Sequence, residues 1–334
     1  MQTISVAMCT HNGAAFVAEQ VAGILAQRPA PQEIVVGDDA STDETVAIIE
    51  SVYAAVRDND PLLETRLTVI RRNPALGVVG NVEATLAECV GELIALSDQD
   101  DVWQEGRLAA FAAEFAGEED LLLLHSDARL IDSAGNPLGL TLLEALEASA
   151  KERRLLVAGE ALPVLLRRSL VTGATVMIRS RLREAASPFA ADWVHDEWLA
   201  VMAASVGRMR LLPSTLTDYR QHGSNQIGAR KPTMSDRWQR LRDPRTERAA
   251  WLARRTATLS DRARLLSVAK DVQVELDAKA AHEAARARLP RFPLWRIPGV
   301  LVGVLSGRYW RYSRGVIDVL RDLVQPAHGP GRGL

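Results

Sequence analysis

Short apolar runs alternate with amphipathic stretches along the first two thirds of the chain. Runs rich in β-branched residues predict strands at Thr3–Met8, Glu33–Gly37, Leu67–Ile70 and Leu93–Ser97. Between these runs, apolar residues recur at helical spacing, as in Ala14–Gln27. Because strand and helix alternate, the pattern predicts an α/β fold with a mostly parallel sheet and helices on both faces.

A second helix is predicted after the strand Glu33–Gly37. A Ser-x-x-Glu pattern at Ser41–Glu44 predicts a capping box, with a helix that begins there and runs to about Arg57. The same alternation continues after Trp103. The later predicted elements are helices at Gln104–Phe115, 141–168 and 193–205 and strands at Leu121–Asp127, Leu170–Arg179, Gly207–Leu212 and Thr215–Tyr219. Gly173 is expected to allow close backbone approach to a ligand.

The texture of the sequence changes from Lys231 onward. Residues 236–288 are rich in Arg and Ala and predict one or two long helices. Pro290, Pro293 and Pro298 are expected to break the chain before a last amphipathic segment, Gly315–Val324. We therefore predict an α/β domain over residues 1–228 and a basic helical extension over residues 229–334.

Composition narrows the class of protein. The 334 residues are 47% apolar and 25% charged, which is typical of a soluble globular protein. Cys9 and Cys89 have no metal-ligand spacing, so the sequence predicts a reducing cytoplasm rather than a disulfide framework or a zinc site. No secretory leader is visible, and the longest apolar stretch, Ile297–Leu305, is far short of the ~20 residues of a membrane span.

Charge is divided unevenly along the chain. Residues 1–206 hold 15 Lys and Arg against 31 Asp and Glu, whereas residues 207–334 hold 25 against 11. This asymmetry favours either internal pairing of the two parts or a basic surface that meets an anionic partner. We expect no nucleic acid partner.

Three carboxylates are crowded at the end of the predicted strand Leu93–Ser97. Asp98, Asp100 and Asp101 follow this apolar run, at the edge where open α/β sheets keep their ligands. Such carboxylates repel one another unless something neutralises them. A hard cation such as Mg²⁺ or Mn²⁺ that bridges to a diphosphate would do so. The alternative is an acidic turn before a helix.

The string Leu-Ser-Asp-Gln-Asp-Asp-Val-Trp at residues 96–103 resembles the metal-binding Asp-x-Asp segment of glycosyltransferase family 2, in the form seen in its bacterial, rhamnosyltransferase-like members. The resemblance implies a GT-A fold and inverting, metal-dependent transfer of a sugar from a dTDP- or UDP-linked donor. It also implies a glycan or lipid-linked acceptor in bacterial surface polysaccharide synthesis. In that family, Asp98 and Asp100 would hold Mg²⁺ or Mn²⁺, and Asp101 would support them.

A second family-like element begins at Asp38. The run Asp38-Asp39-Ala40-Ser41-Thr42-Asp43 resembles an Asp-Asp-x-Ser-x-Asp element whose acidic pair is associated with the nucleotide base and ribose. Thr10 and Asn12 match the polar loop that flanks the nucleotide in the family. The alternatives are that Asp38 and Asp39 only cap the turn, and that Thr10 and Asn12 only shape a loop.

Two further strings resemble family elements. His195-Asp196-Glu197-Trp198 is similar to the catalytic-base element, which makes Asp196 the expected base and Glu197 the fallback. The alternative is that both acids complement a helix dipole. Tyr219–Asn225 resembles a Tyr-Arg-x-His-x-x-Asn element, in which His222 would touch the metal or the diphosphate and Arg220 would clamp phosphate. A lone histidine is more often structural.

Two rival functions and one open question remain at this point. The rivals are a sugar nucleotidyltransferase, which usually has a Gly-rich loop that is absent between Cys9 and Phe16, and a non-catalytic nucleotide-sugar-binding scaffold. The question concerns Phe292–Tyr312, in which aromatic residues lie among arginines. The aromatic residues are Trp295, Tyr309, Trp310 and Tyr312, and the arginines are Arg296, Arg308 and Arg311, with Arg314 just after the segment. This segment fits peripheral contact with an anionic membrane at its cytoplasmic face, packing on the acidic domain, or a homodimer contact.

Overall fold

The computed structural model describes residues 2–222 and 244–327. These residues form two compact units, the first made of residues 2–161 and 170–222 and the second of residues 162–169 and 244–327. The predicted boundary at residue 228 lies outside the described residues. The division agrees with an α/β part followed by a helical part.

The first unit is built on one nine-stranded sheet. Its strand order is β3-β2-β1-β4-β8-β6-β9-β5, and β7 pairs with β6. The strands are β1 (Ile4–Thr10), β2 (Glu33–Asp38), β3 (Arg66–Arg71), β4 (Leu93–Asp98), β5 (Val102–Trp103), β6 (Leu121–Ile131), β7 (Pro137–Thr141), β8 (Val176–Arg179) and β9 (Arg208–Arg220). The predicted α/β class is confirmed: β3, β2, β1 and β4 are parallel, and β8 joins β4 and β6 antiparallel.

Helices cover this sheet. The helices of the first unit are α1 (Val17–Leu25), α2 (Thr45–Asn59), α3 (Gly77–Glu88), α4 (Arg107–Phe115), α5 (Leu142–Ala145), α6 (Ala150–Val157), α8 (Ser180–Ala186) and α9 (His195–Val206). Apolar positions at helical spacing, such as Val21 and Ile24 of α1 and Phe111 and Phe115 of α4, are fully buried against the sheet. Truncating a buried Phe of this kind to Ala costs about 3–5 kcal/mol, so these contacts hold the first unit together.

The second unit is helical among its described residues. Its helices are α7 (Leu162–Leu165), α10 (Arg245–Leu265), α11 (Lys270–Ala287), α12 (Pro293–Leu305), α13 (Arg308–Tyr312) and α14 (Val316–Val324). The long helices predicted over 236–288 are confirmed from residue 245 onward, and residues 236–243 lie outside the described range. No helix among the described residues is long and apolar enough to cross a membrane.

Two local predictions at turns are wrong. Helix α2 begins at Thr45 and not at Ser41, because the Ser41 hydroxyl donates to Asp38 Oδ1 (2.5 Å) instead of capping the helix. Pro298 does not break the chain but lies inside α12, whose first residue is Pro293. Proline at a first helical position is favourable, because its missing N–H would have no intrahelical partner there.

Two predicted strands also have different bounds. The strand predicted from Leu170 begins only at Val176, because Gly173–Thr175 forms a short 3₁₀ turn. The pair predicted between residues 207 and 219 is one strand, β9, which has a register irregularity opposite Ser126 and Asp127 of β6. Irregularities of this kind bend a strand without ending it.

Candidate active site

The parallel strands bring three predicted site residues to one edge of the sheet. Thr10 at the end of β1 lies opposite Asp38 at the end of β2. On the other side of β1, Cys9 lies opposite Asp98 at the end of β4. Parallel strands share the direction of their carboxyl ends, so this register places the polar residues that follow each strand side by side.

Four carboxylates converge around Tyr219, near the end of β9. The carboxylates belong to Asp98, Asp100, Asp101 and Asp196. Burial raises the pKa of the tyrosine hydroxyl, and the charges of these carboxylates raise it further. Two segments that are far apart in sequence, the acidic turn after β4 and the start of α9, therefore form one acidic site.

Crowding of like charge perturbs this cluster. Burial, followed by the charges of Asp100 and Asp196, raises the pKa of Asp98 to about 6. Burial and the charges of Asp98 and Asp100 also raise the pKa of Asp101. A cation would relieve both effects, since it favours the ionised forms.

Arg107 is a buried cation close to this cluster, and the sequence analysis did not identify it. Burial lowers its pKa to about 9, and the charges of Asp101 and Asp98 oppose that shift. The guanidinium lies over the rings of Trp103 (4.5 Å) and Phe111 (5.2 Å) and donates to the Ala174 carbonyl at 2.9 Å. Phe111 lies four residues after the arginine on α4, a spacing at which helical side chains meet, whereas Trp103 belongs to β5 and its contact with Arg107 has no such local signal.

Asp100 and His222 meet at the exposed side of the cluster. His222 Nε2 lies 2.7 Å from Asp100 Oδ2, so the predicted proximity of these two residues is present in the structure. The imidazole ring stacks on Phe16, with ring centroids 4.9 Å apart. Phe16 lies just before α1, so the stack ties the end of β9 to the loop after β1.

Asp101 and Arg220 have a different arrangement from the one expected. Asp101 is buried, and its Oδ1 accepts from the Arg220 backbone N–H at 3.0 Å. The Arg220 guanidinium is 3% exposed and donates to Glu19 Oε2 (2.6 Å), to the Asp100 carbonyl (2.8 Å) and to the Ser133 carbonyl (3.3 Å). These bonds hold the acidic turn in place, and phosphate binding by Arg220 stays a prediction.

Asp196 lies at the first turn of α9 and has the electrostatics of a base that works near neutral pH. Burial, and then the charge of Glu197, raise its pKa to about 7. Its Oδ2 accepts from the Gly173 N–H at 3.2 Å, and its Oδ1 accepts from the Glu197 N–H at 2.7 Å. These bonds fix the carboxylate without neutralising it.

His195 is a second residue that the sequence analysis did not assign. Burial lowers its pKa, and the charge of Asp98 opposes that shift, so the ring lies near the acidic cluster. A Cβ on Gly173 would come within 2.7 Å of His195 Nε2. His195 therefore makes a close approach to the Gly173 backbone, and approach of a ligand there stays a prediction.

The acidic pair after β2 stabilises loops. Asp38 Oδ1 accepts from the Thr10 hydroxyl at 2.8 Å. Asp39 accepts from the backbone N–H groups of Leu76 (2.6 Å) and Gly77 (2.9 Å), at the start of α3. The capping role that was open for Asp38 and Asp39 is thus present, and nucleotide binding by either residue stays a prediction.

Asn12 joins the loop after β1 to the loop after β2, because its Oδ1 accepts from the Thr42 N–H at 2.8 Å. Gln99, within the acidic turn, reaches the same loop: its Oε1 accepts from the His11 N–H (2.8 Å) and its Nε2 donates to the His11 carbonyl (3.0 Å). A Cβ at Gly13 would lie 2.2 Å from Gln99 Oε1, so a larger residue there would displace the Gln99 side chain from the loop. The expected donor loop and acidic turn are therefore mechanically linked.

The donor set suits a hard divalent cation. Asp101 Oδ2 is buried and has no hydrogen-bond partner among the described residues, and burial and neighbouring carboxylates raise the pKa of Asp98, so the cluster favours added positive charge. No group of three or more potential ligands is arranged around a metal position among the described residues. Mg²⁺ and Mn²⁺ commonly bind through one or two carboxylates and take further oxygens from substrate phosphates and water.

Comparison with known proteins finds a matching family model and curated relatives. A family model described as glycosyl transferase family 2 matches residues 5–164. An uncharacterized glycosyltransferase of Nostoc sp., alr2836, is 28% identical over 122 residues, which are 36% of this chain and 35% of that protein. The uncharacterized protein Rv1520 of Mycobacterium tuberculosis is 35% identical over 103 residues, 30% of this chain and 28% of the relative. These matches span about a third of the curated relatives.

The fold extends further than the sequence similarity. Residues 1–349 of Staphylococcus aureus TarS, solved with UDP-GlcNAc, share 15% identity with this chain at a TM-score of 0.56. The match covers 96% of this chain and 89% of the TarS fragment. The expected GT-A fold with a helical extension is confirmed by this likeness.

Proposed function

We propose that the protein transfers a sugar from a nucleotide-diphosphate donor to an acceptor hydroxyl. The proposal starts from the match of residues 5–164 to glycosyltransferase family 2. In this proposal the α/β part, residues 1–228, is catalytic and residues 229–334 form an extension. The observation that carries the proposal is the convergence of Asp98, Asp100 and Asp196 in one site.

Asp196 acts as the general base. A carboxyl with a pKa of about 7 is largely ionised above neutral pH and still basic enough to take a proton from a hydroxyl as it reacts. The acceptor oxygen forms a bond to the anomeric carbon while the bond from that carbon to the diphosphate oxygen breaks. The proton moves to Asp196, and the nucleotide diphosphate leaves with the bonding electrons. One direct displacement inverts the anomeric configuration.

Asp98 and Asp100 are the residues that would hold Mg²⁺ or Mn²⁺, and Asp101 supports their turn. The cation, when bound, supplies positive charge for the diphosphate. His222 lies beside Asp100 and is positioned to hydrogen-bond either the aspartate or a diphosphate oxygen. Arg107 limits the repulsion among the carboxylates from the buried side.

The donor is a dTDP- or UDP-linked sugar in this proposal. The linked loops that contain Thr10, Asn12, Asp38 and Asp39 form the nucleotide side of the site, next to the acidic turn. The carboxylates of Asp38 and Asp39 have oxygen lone pairs beyond those that bind the loops, so they can also accept from a ribose hydroxyl or a ring N–H. Rhamnose is the sugar that the residue 96–103 string favours.

The acceptor is a glycan or a lipid-linked glycan of bacterial cell-surface polysaccharide, made in the cytoplasm. Cys9 and Cys89 are free thiols, which agrees with a reducing compartment. The family match favours this transferase over a nucleotidyltransferase, and the perturbed pKa of Asp196 favours it over a scaffold without turnover.

A thermal-shift screen tests the proposal. The full chain is mixed with UDP-, dTDP- and GDP-linked sugars, with and without Mn²⁺. A ligand that binds only the folded state raises the melting temperature, and about 100 times its Kd corresponds to ~2.7 kcal/mol of stabilisation. We expect one donor class to shift the transition only with Mn²⁺ present. The absence of a shift with all three classes would contradict the proposal.

A further inference from the structure

Helix α14 buries its charged side and exposes its apolar side, the reverse of an ordinary surface helix. Its charged residues Asp318, Arg321 and Asp322 are buried. Its apolar residues occupy the opposite side and are exposed: Val316, Ile317, Leu320 and Val324. A surface helix of a globular protein normally buries the apolar stripe, so here the stripe is available to something outside the chain.

The buried side of α14 is held by charge pairing. Asp322 Oδ2 accepts from Arg286 Nε (2.6 Å) and from the Tyr309 hydroxyl (2.7 Å). Asp318 Oδ1 lies 3.2 Å from Arg321 Nη1 and 3.8 Å from Arg286. These bonds fix which side of the helix faces inward, so the apolar side cannot turn inward without breaking them.

Helix α12 shows the same inversion and packs beside α14. Arg296 is fully buried and donates to the backbone carbonyls of Asp322 (3.0 Å) and Gln325 (2.7 Å). The outward side is apolar, with Trp295 at 74% exposure and Leu305 at 85%. Together with Leu301, Val302, Ile317 and Leu320, these two residues define what we term the apolar face.

The charge around the apolar face is positive. Between residues 290 and 327 the acidic residues are Asp318 and Asp322, and both are buried. Arg291, Arg308 and Arg311 are exposed in the same stretch. A stretch that combines exposed Trp and Leu with arginines, and has no exposed carboxylate between residues 290 and 327, is complementary to a lipid surface with anionic headgroups.

Fewer aromatic residues of Phe292–Tyr312 are exposed than the sequence indicated. Tyr309 and Tyr312 are buried, and Arg296 is paired internally, whereas Trp295 and Trp310 remain outside. Arg311 pairs with Glu275, so internal pairing of the arginines is also partly present. Two exposed indoles are still suited to the headgroup level of a membrane.

A second copy of the chain fits this face less well. In a two-fold symmetric dimer the same patch meets itself, so arginines of one copy would approach arginines of the other. Residues 290–327 offer no exposed carboxylate to pair with them, because Asp318 and Asp322 are buried. We therefore propose that the apolar face of α12 and α14 docks on an anionic lipid membrane, lying in the headgroup region without crossing it.

Vesicle co-sedimentation of the full chain tests the docking. The probes are phosphatidylcholine vesicles with and without phosphatidylglycerol, at low and high salt. We expect binding to the anionic vesicles that weakens with salt, because screening reduces the arginine contribution. No binding to anionic vesicles at low salt, or equal binding to neutral ones, would overturn the proposal. The measurement needs neither donor nor acceptor and is independent of the proposed function.

A matched pair of variants locates the contact. The double variant Leu301→Ser, Leu305→Ser should lower the vesicle partition coefficient roughly tenfold or more, because two exposed leucines no longer enter the apolar layer. The control Leu265→Ser removes a leucine that is 81% exposed on α10, outside the face, and should change binding less than twofold. Equal effects of the two changes would contradict the assignment. So would a dimer detected by light scattering that the double variant abolishes while vesicle binding stays unchanged.

Discussion

Both units bury aspartates, but the surroundings of these aspartates differ. In the first unit, burial and the charges of Asp100 and Asp196 raise the pKa of Asp98 to about 6. In the second unit, the pKa of Asp318 is lowered to about 2: burial opposes the shift, but Arg286 and neighbouring arginines outweigh it.

The difference distinguishes the candidate active site of the first unit from the structural ion pairs of the second. The second unit balances each buried acid with a guanidinium, as in the pair of Arg286 and Asp322 at 2.6 Å, so its charges are satisfied without a ligand. The first unit gathers carboxylates around Arg107 as the buried cation that acts on Asp98 and Asp101. Uncompensated like charge lowers stability, and such clusters are typical of sites that a substrate or a cation completes.

The largest effect is expected from Asp196→Asn. Asparagine keeps the shape of the side chain but cannot accept the proton, so the turnover rate should fall roughly 10²–10⁴-fold. Steady-state transfer assays measure this loss, and donor affinity should barely change. The control is Glu197→Gln, the neighbouring acid. Near-full turnover in Asp196→Asn together with loss in Glu197→Gln would show that the base is misassigned.

The same carboxyl predicts a pH profile. Asp196 must be ionised to act as a base, and its pKa is raised to about 7, mainly by burial. Activity should therefore rise as pH increases through about 7 and fall by up to tenfold per pH unit below it. A rate that is flat between pH 5.5 and 8.5, measured under conditions of saturating donor, would exclude Asp196 as the titrating base.

In the second unit, Asp322→Ala should strongly lower the free energy of unfolding. The change leaves Arg286 buried without its closest carboxylate and removes the acceptor of the Tyr309 hydroxyl. Breaking a buried pair by removing one partner costs about 3–5 kcal/mol. Denaturant titration gives the total, and hydrogen exchange should show the loss in α11 and α14. Protection that falls equally in the sheet of the first unit would contradict independent charge networks.

Asp98→Asn should have the opposite sign. Burial, and then the charges of Asp100 and Asp196, raise the pKa of Asp98, so keeping it ionised near neutral pH destabilises the folded protein, and removal of the charge relieves both the desolvation and the repulsion. We expect the metal-free variant to be about 1–3 kcal/mol more stable than the parent, while donor binding is lost. A variant that is less stable than the parent in denaturant titration would refute the like-charge account.

A smaller effect should appear on mild acidification. Burial lowers the pKa of His282 in α11 to about 4, whereas the unfolded chain binds this proton near pH 6.5. Stability from this histidine is therefore complete above about 6.5 and is lost as pH falls toward 4, by about 1–2 kcal/mol between pH 7 and 5. His282→Gln should flatten this part of a stability-against-pH curve. An unchanged slope would show that His282 is not the group that binds the proton.

The sequence indicated the first unit well because its strands are short apolar runs with polar ends. Parallel pairing of β1, β2 and β4 then brings their ends together, so Asp98 could be assigned to a site from the run that precedes it. Arg107 was missed because a single arginine in an amphipathic helix has many explanations. Only its four-residue spacing from Phe111 on the same helix indicated part of the stack.

The second unit was harder to predict for a physical reason. The amphipathic pattern of α14 predicted a helix correctly, but the usual assumption that the apolar side faces inward is reversed by the buried partners of Asp318 and Asp322. One of those partners, Arg286, comes from α11, more than 30 residues earlier in the chain than either aspartate. Side-chain pairing over such a distance leaves no local pattern in the sequence.

Calorimetric titration of donor in the presence of Mn²⁺ tests the central claim most directly, with the parent chain compared with Asp100→Asn. Asp100 lies at the exposed side of the acidic cluster, beside His222, so its loss should leave the fold intact and weaken the hold of the cation on the diphosphate. The account predicts that Mn²⁺ increases donor affinity in the parent and has little effect in the variant. Donor affinity with the same dependence on Mn²⁺ in both proteins would contradict it.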